Sequence, residues 1–201
     1  MHILYSYRRC PYAMRARMAL KYADIAVEIH EIELKNKPAE MLKVSPKATV
    51  PVLVLGDGTV IEQSLDIMHW ALQQQDTEGW LKADNVLTQQ LIAENDGAFK
   101  QALDKYKYAI RFPEQFAEVY RAQGEVFLQK LENLLSQSKF LLGNQIRLAD
   151  IAIFPFLRQF SGVDAAWYET APYPKLKAWL KTLVECELFI SIMQKQPTYI
   201  A

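Results

Sequence analysis

Residues His2–Tyr22 read HILYSYRRCPYAMRARMALKY: a short β-rich run over His2–Tyr7, two arginines, the dipeptide Cys10-Pro11, and a helical pattern over Ala13–Tyr22. Pro11 has no N–H to pair, and its fixed φ suits the first position of a helix. Cys10 therefore falls between a strand and a helix N-terminus, where backbone N–H groups are unpaired and the helix dipole is positive. A thiol so placed loses its proton more readily, and Arg9 adds a neighbouring cation. Ala13 stands where a dithiol oxidoreductase carries its second cysteine, so a mixed disulfide formed on Cys10 has to be cleared by an outside thiol. A buried, inert cysteine is the alternative, but the strand–Cys-Pro–helix context favours a functional thiol.

Downstream, Val27–Leu34 alternates apolar and polar residues, as a half-buried strand does. A turn-rich stretch with Pro38, Pro46 and Lys47 follows, and then Val50–Leu55 and Thr59–Glu62 flank Gly56-Asp57-Gly58, a hairpin signal. Ser64 opens a helix through Gln73 as a natural N-cap. The order βαβ–ββα, with the first two strands joined by a helix and hence parallel, predicts an α/β thioredoxin-like domain over residues 1–75. Beyond a linker over Gln75–Asp84 no β-rich run returns. Val86–Tyr108, Glu114–Ser136, Leu148–Gln159 and Pro174–Cys186 carry helical spacing, which predicts an all-α helical-bundle C-terminal domain over residues 85–201. Phe116, Val119/Tyr120, Val126/Phe127, Leu131 and Leu134/Leu135 outline one apolar face of the second of these helices. Pro113 and Pro174 mark helix starts, and Pro155 should kink the third.

Composition narrows the function classes. The 201 residues carry 23 Lys+Arg against 23 Asp+Glu, so no basic field exists to hold nucleic acid or an anionic membrane. The start shows no signal-peptide pattern, and no apolar run is long enough to span a bilayer. Two cysteines, Cys10 and Cys186, are no disulfide framework and suit a reducing, cytoplasmic setting. Cys186, read as lying inside a helix, is assigned to packing. His2, His30 and His69 are scattered without partners at ligand spacing, so no metal is expected. Arg8, Arg9, Arg15, Arg17 and Lys21 form a positive cluster that either steers an anion toward Cys10 or is, in part, a solvated helix face.

Val50-Pro51 heads a strand. It is either a proline tolerated at a strand start or a cis peptide that turns the Val50 main chain toward an extended ligand. Ser64 caps its helix, while the free N–H groups of the same helix end suit a carboxylate.

Cys10-Pro11-Tyr12-Ala13, Val50-Pro51-Val52-Leu53 and Glu62-Gln63-Ser64, in that order and followed by a helical half, resemble the glutathione S-transferase superfamily. The resemblance is closest to the cysteine-bearing omega class, whose members carry Cys-Pro-Phe-Ala. Leu34-Lys35-Asn36-Lys37-Pro38, Leu142-Gly143-Asn144-Gln145, Leu148-Ala149-Asp150-Ile151 and Pro155-Phe156 extend the similarity over nearly the whole chain. The resemblance implies that glutathione is the co-substrate and that Cys10 forms a mixed disulfide with it. It implies that Val50, beside Pro51, pairs its main chain with the cysteinyl unit, that Gln63 and Ser64 hold the γ-glutamyl end, and that Lys37 reaches the glycyl end. It places Phe156 in a pocket for a small hydrophobic or disulfide co-substrate, and it implies a homodimer.

Two departures from the family pattern stand out. Gln63 replaces the acidic residue usual before this serine, which predicts glutathione binding weaker by about 1 kcal/mol. Arg147 replaces the Ser or Thr three residues before Asp150, which breaks the capping box and leaves Asp150 a structural residue. The expected activity is glutathione-dependent thiol transfer or dehydroascorbate-type reduction through Cys10. The alternatives are conjugation of glutathione to electrophiles, or a non-catalytic interaction protein on the same fold, as in the stringent-starvation regulators.

Overall fold

The computed structural model describes Met1–Ala83 and Asn85–Ile200; Asp84, at the end of the expected linker, and Ala201, at the end of the expected second domain, lie outside the described residues. The chain forms two compact units, Met1–Glu78 together with Cys186–Ala201, and Gly79–Glu185. The first break falls inside the expected linker. The expected helical domain over 85–201, however, gives up its last segment to the first unit.

The first unit is built on a four-stranded sheet of order β2-β1-β3-β4, with β1 His2–Ser6, β2 Val27–Glu31, β3 Val52–Val54 and β4 Val60–Ile61. Helix α1 (Pro11–Tyr22) connects β1 to β2, which pair in parallel as the helical crossover requires; β1–β3 and β3–β4 are antiparallel. The Gly56–Gly58 hairpin forms as read. Gly58 has φ 89°, and Asp57 Oδ1 accepts the Thr59 N–H at 2.9 Å. Helix α3 (Ser64–Gln74) packs on α1.

One element of this unit is missing from the sequence reading. The turn-rich stretch around Pro38 and Pro46 contains helix α2, Ala39–Val44. It is one and a half turns long and is fixed by burial of Met41 against Tyr5, Ile32 and Val52 rather than by local propensity.

The C-terminal segment completes the unit. Helix α9 (Pro174–Val184) ends at Val184, Cys186 is extended (φ −69°, ψ 144°), and a separate helix, α10 (Glu187–Ile192), packs on α1. Beyond it Thr198 bridges Glu31 in parallel, the Tyr199 N–H donates to the Glu31 carbonyl at 2.8 Å, and the Tyr199 ring stacks on His30 at 3.7 Å. The tail thus covers the open edge of β2.

The second unit is helical: α4 (Val86–Glu94), α5 (Lys100–Lys107), α6 (Ala117–Leu135), α7 (Leu148–Ser161), α8 (Ala165–Thr170) and α9. A π-helical turn, Asn95–Phe99, joins α4 to α5. Pro174 occupies the first turn of α9 as expected. Pro113 does not start a helix, since α6 begins at Ala117. Helix α7 is the centre of the bundle, because Leu148–Leu157 and Phe160 are all buried, the pattern of a helix apolar on every side.

The buried face of α6 is Tyr120, Gly124, Phe127, Leu128, Leu131 and Leu135; of the expected apolar face, Tyr120, Phe127, Leu131 and Leu135 turn inward, while Phe116, Val119 and Val126 are exposed. Gly124 is where α6 closes on α7. A Cβ there would lie 2.5 Å from Cε2 of Phe160, whose ring is itself packed by Phe99, Tyr106 and Trp167. Gly124→Ala is therefore expected to destabilise the protein by about 1–2 kcal/mol, overpacking outweighing the better helix propensity of alanine. A urea titration checks this; a rise in midpoint would show that the ring yields freely.

Candidate active site

Cys10 is the N-cap of α1, with φ −76° and ψ 122°, and is half-buried. Its N–H donates to the Tyr7 carbonyl at 3.0 Å and its carbonyl accepts the Met14 N–H at 2.9 Å, which fixes the turn that delivers the thiol. The residue thus stands at the positive end of the helix, where a thiolate is favoured. Sγ lies 3.7 Å from the Val50 carbonyl oxygen, and the Val50-Pro51 peptide is cis. Pro51 is buried, and β3 starts only at Val52, so Val50 stands outside the strand ladder next to the thiol. Of the two readings of Val50-Pro51, the structure has the cis form.

Gln63 and Ser64 lie where β4 passes into α3, but their roles differ from the sequence expectation. Gln63, not Ser64, occupies the N-cap, and it caps without a side-chain hydrogen bond. Ser64 is the first helical residue; it is buried, and its Oγ accepts Nε–H of Arg15 at 3.0 Å. The reason lies in α1. Arg15 is only 2% exposed, and a guanidinium enclosed to that degree has to be given acceptors. The bond ties the helix that carries Cys10 to the helix that starts at Ser64. Glu62, just before, accepts from the buried hydroxyl of Ser45 at 2.5 Å and so anchors the same junction to the end of α2.

Lys37 stands in the loop between β2 and α2. It is half-buried and lines a groove of about 550 Å³ with Glu33, Asn36 and the tail residues Tyr199 and Ile200. Cys10, Val50-Pro51 and, through Arg15, Ser64 are thus held by direct contacts, with Gln63 exposed beside Ser64.

Phe156 corrects the expectation for a co-substrate pocket. It has no exposed surface and belongs to the fully buried stretch of α7, so it packs as a core side chain of the second unit. Cys186 corrects another: it is not inside a helix but caps α10, where its Sγ accepts the Phe189 N–H at 3.4 Å.

The arginine cluster divides. Arg9 is exposed, with its guanidinium on the Tyr7 hydroxyl at 2.8 and 3.2 Å, and Lys21 is exposed. Arg15 and Arg17 are buried, against the solvated-face reading. The signal was present in the sequence: Met14-Arg15-Ala16-Arg17-Met18-Ala19-Leu20 has apolar residues on every side, so this helix has no polar face on which the two arginines could sit. Among the described residues no group of three or more His, Cys, Asp or Glu gathers in a geometry that would hold a metal, and no helix is long and apolar enough to cross a membrane.

Comparison with known proteins adds the family context. Residues 4–79 match the family model for the glutathione S-transferase N-terminal domain and residues 89–182 that for the C-terminal domain. Among curated relatives, the chain is 26% identical to glutathione S-transferase omega-1 of Rattus norvegicus, over 90% of this chain and 76% of that protein. It is 27% identical to a probable maleylacetoacetate isomerase of Caenorhabditis elegans, over 94% and 91%. Among solved structures, the glutathione transferase URE2P6 of Phanerochaete chrysosporium, in complex with oxidized glutathione, superposes with a TM-score of 0.81 at 18% identity, covering 95% of this chain and 94% of that one.

Proposed function

Because the chain belongs to the glutathione S-transferase superfamily, we propose that Cys10 is the nucleophile of a glutathione-dependent thiol transfer. The observation that carries this reading is the placement of one half-exposed sulfur at the start of α1 with alanine, not cysteine, three residues on. The Cys10 thiolate attacks the glutathionyl sulfur of a mixed disulfide, the S–S bond breaks, and the substrate leaves as its thiolate. A second glutathione thiolate then attacks the Cys10-bound sulfur, releasing oxidised glutathione and restoring the Cys10 thiolate. Each step exchanges one S–S bond for another; overall one free glutathione is consumed, its sulfur oxidised as the substrate sulfur is reduced.

Val50, beside Pro51, pairs with the cysteinyl unit of the tripeptide, Gln63 and Ser64 take its γ-glutamyl end, and Lys37 its glycyl carboxylate. The 3.7 Å approach of Cys10 Sγ to the Val50 carbonyl supports the first of these, because it sets the sulfur beside the main chain that the cysteinyl unit would meet. A serine or tyrosine in place of Cys10 would only stabilise the glutathione thiolate, whereas a cysteine is captured by it as a disulfide; this favours thiol transfer over conjugation. Incubation with oxidised glutathione followed by mass spectrometry is expected to show one tripeptide attached, at Cys10. Attachment at Cys186 alone, or none, would overturn the reading.

The protein acts in a reducing, cytoplasmic setting and as a homodimer. Phe116, 82% exposed, and Val126, 69% exposed, leave an apolar stripe on α6 that supports self-association. Light scattering at micromolar concentration is expected to give twice the chain mass, and a monomer throughout would refute the pairing.

A further inference from the structure

Arg17 lies seven residues, about two turns, beyond Cys10, on the same face of α1. Helical side chains lean toward the helix N-terminus, and its guanidinium reaches back under the loop that delivers the thiol. Nη1 donates to Ser6 Oγ at 2.6 Å and to the Tyr7 carbonyl at 3.4 Å, and Nη2 to the Arg8 carbonyl at 2.8 Å. The same Tyr7 carbonyl receives the Cys10 N–H, while the Arg8 N–H goes to Glu31 Oε1 at 2.6 Å. One buried cation and one carboxylate therefore fix the main chain of the turn into Cys10.

The cation is enclosed as well as bonded. Arg17 is 4% exposed, Met193 Sδ of the C-terminal segment lies 3.8 Å from Nη2, and Nε has no hydrogen-bond partner. Enclosing an arginine is costly, and α1 would be served equally well by an apolar residue if only packing were needed. The charged groups that act on it are Glu31 from β2 and Cys10 and Arg8 from the loop; α10 and the tail contribute the uncharged Met193. Burial pulls the guanidinium down to about 10, with Glu31 and Cys10 opposing and Arg8 assisting, so it keeps its charge at neutral pH. In so dry a place its field at a nearby sulfur is poorly screened.

We infer that Arg17 is the positioning residue of the Cys10 site: its planar fork holds the Tyr7–Arg8 loop, and its buried charge favours the Cys10 thiolate over the thiol. This rests on the reading of Cys10 as a reactive thiolate and names the group that makes it one. Lysine would keep the charge without the fork, and methionine would keep neither.

The test is the pH dependence of Cys10 alkylation by iodoacetamide in a Cys186→Ser background, with thermal unfolding as the check on folding. Arg17→Met is expected to raise the midpoint of the profile by about one pH unit, a tenfold loss of alkylation rate on its acid side. Arg17→Lys should return most of that shift. Glu31→Gln keeps an acceptor for the Arg8 N–H but removes a negative charge from beside Arg17, so it should move the midpoint the other way.

Opposite signs for Arg17→Met and Glu31→Gln are what a charge effect produces and a loosened loop does not. Upward shifts in both, or none in either, would overturn the assignment. If Arg17→Met fails to fold, Glu31→Gln and Arg17→Lys carry the same test. A parent protein that alkylates like an unactivated thiol would instead sink the reading of Cys10 itself, which separates the two failures.

Discussion

Replacing Cys10 by serine is expected to lower glutathione-dependent reduction of a mixed disulfide by at least about 10³-fold, while leaving the fold intact. The serine hydroxyl can still cap α1, so the substitution keeps the local structure and removes only the chemistry. A hydroxyl is not ionised at neutral pH, and an alkoxide forms no stable bond to a glutathionyl sulfur, so neither half of the exchange proceeds. The Val50 main chain and the Gln63-Ser64 helix start are untouched, so glutathione should still be retained on an affinity matrix. The assay follows oxidised glutathione with and without the mixed disulfide. Retained turnover in Cys10→Ser would refute the thiol-transfer mechanism. A variant that loses disulfide reduction but conjugates glutathione to an electrophile would be the expected companion result, since a hydroxyl can support the bound glutathione thiolate. If neither the parent nor the variant shows either activity, the chain is a binding protein on this fold.

The second large effect is expected far from chemistry, at Asp150 in the second unit. Its carboxylate is fully buried, and three donors converge on it: the Leu141 N–H at 3.0 Å and Trp179 Nε1–H at 2.8 Å on Oδ1, and the Arg147 N–H at 2.9 Å on Oδ2. The Arg147 guanidinium has no acceptor to return, so the Asp150 N–H goes to the Arg147 main-chain carbonyl at 3.0 Å. The Arg147 side chain turns instead to the Gly79 carbonyl at 2.6 Å. Half of the capping box survives, as the sequence implied, and Asp150 also holds the loop at Leu141 and the helix at Trp179. Asp150→Ala strands three buried donors and is expected to cost about 3–5 kcal/mol in a denaturant titration. Asp150→Asn keeps the acceptor for Leu141 and Trp179 and opposes only Arg147, so about 1–2 kcal/mol is expected. Equal losses in the two would show that the site is decided by shape and not by its donors.

Burial pushes the Asp150 carboxyl up to about 6, against the pull of its three N–H donors. The folded state then binds this proton more tightly than the unfolded chain, whose aspartate titrates near 4. The contribution of this group to stability is therefore greatest below about pH 4 and declines, by on the order of 2–3 kcal/mol, as pH rises to about 6. The difference in unfolding free energy between parent and Asp150→Ala should change over that window and be flat above it. A difference independent of pH would contradict the shift.

The features legible in the sequence are those written by neighbours along the chain. Strand, Cys10-Pro11 and helix follow one another within a dozen residues, and the Gly56-Asp57-Gly58 turn and Pro174 carry their conformations in their own backbones. Helix α2 was missed because six residues between Pro38 and Ser45 hold too little intrinsic helicity; Met41 locks them only once Tyr5, Ile32 and Val52 are assembled. The face of α6 was legible only in part, for a related reason. Phe116, Val119 and Val126 have apolar spacing as good as Tyr120, Phe127 and Leu131, and which stripe turns inward depends on where α7 comes to lie.

From the amino-acid order alone came the α/β unit followed by helices, the thiol at a helix start, and the alanine that denies it a partner cysteine, because each depends on residues a turn or less apart. The folded chain decided which charges are buried. It put Arg15 and Arg17 inside, sent Phe156 to the core of α7, set the Val50 carbonyl beside the Cys10 sulfur, and returned the C-terminal segment to β2 and α1. Burial and electrostatic surroundings are sums over atoms brought together from distant parts of the chain, and no local pattern contains that sum.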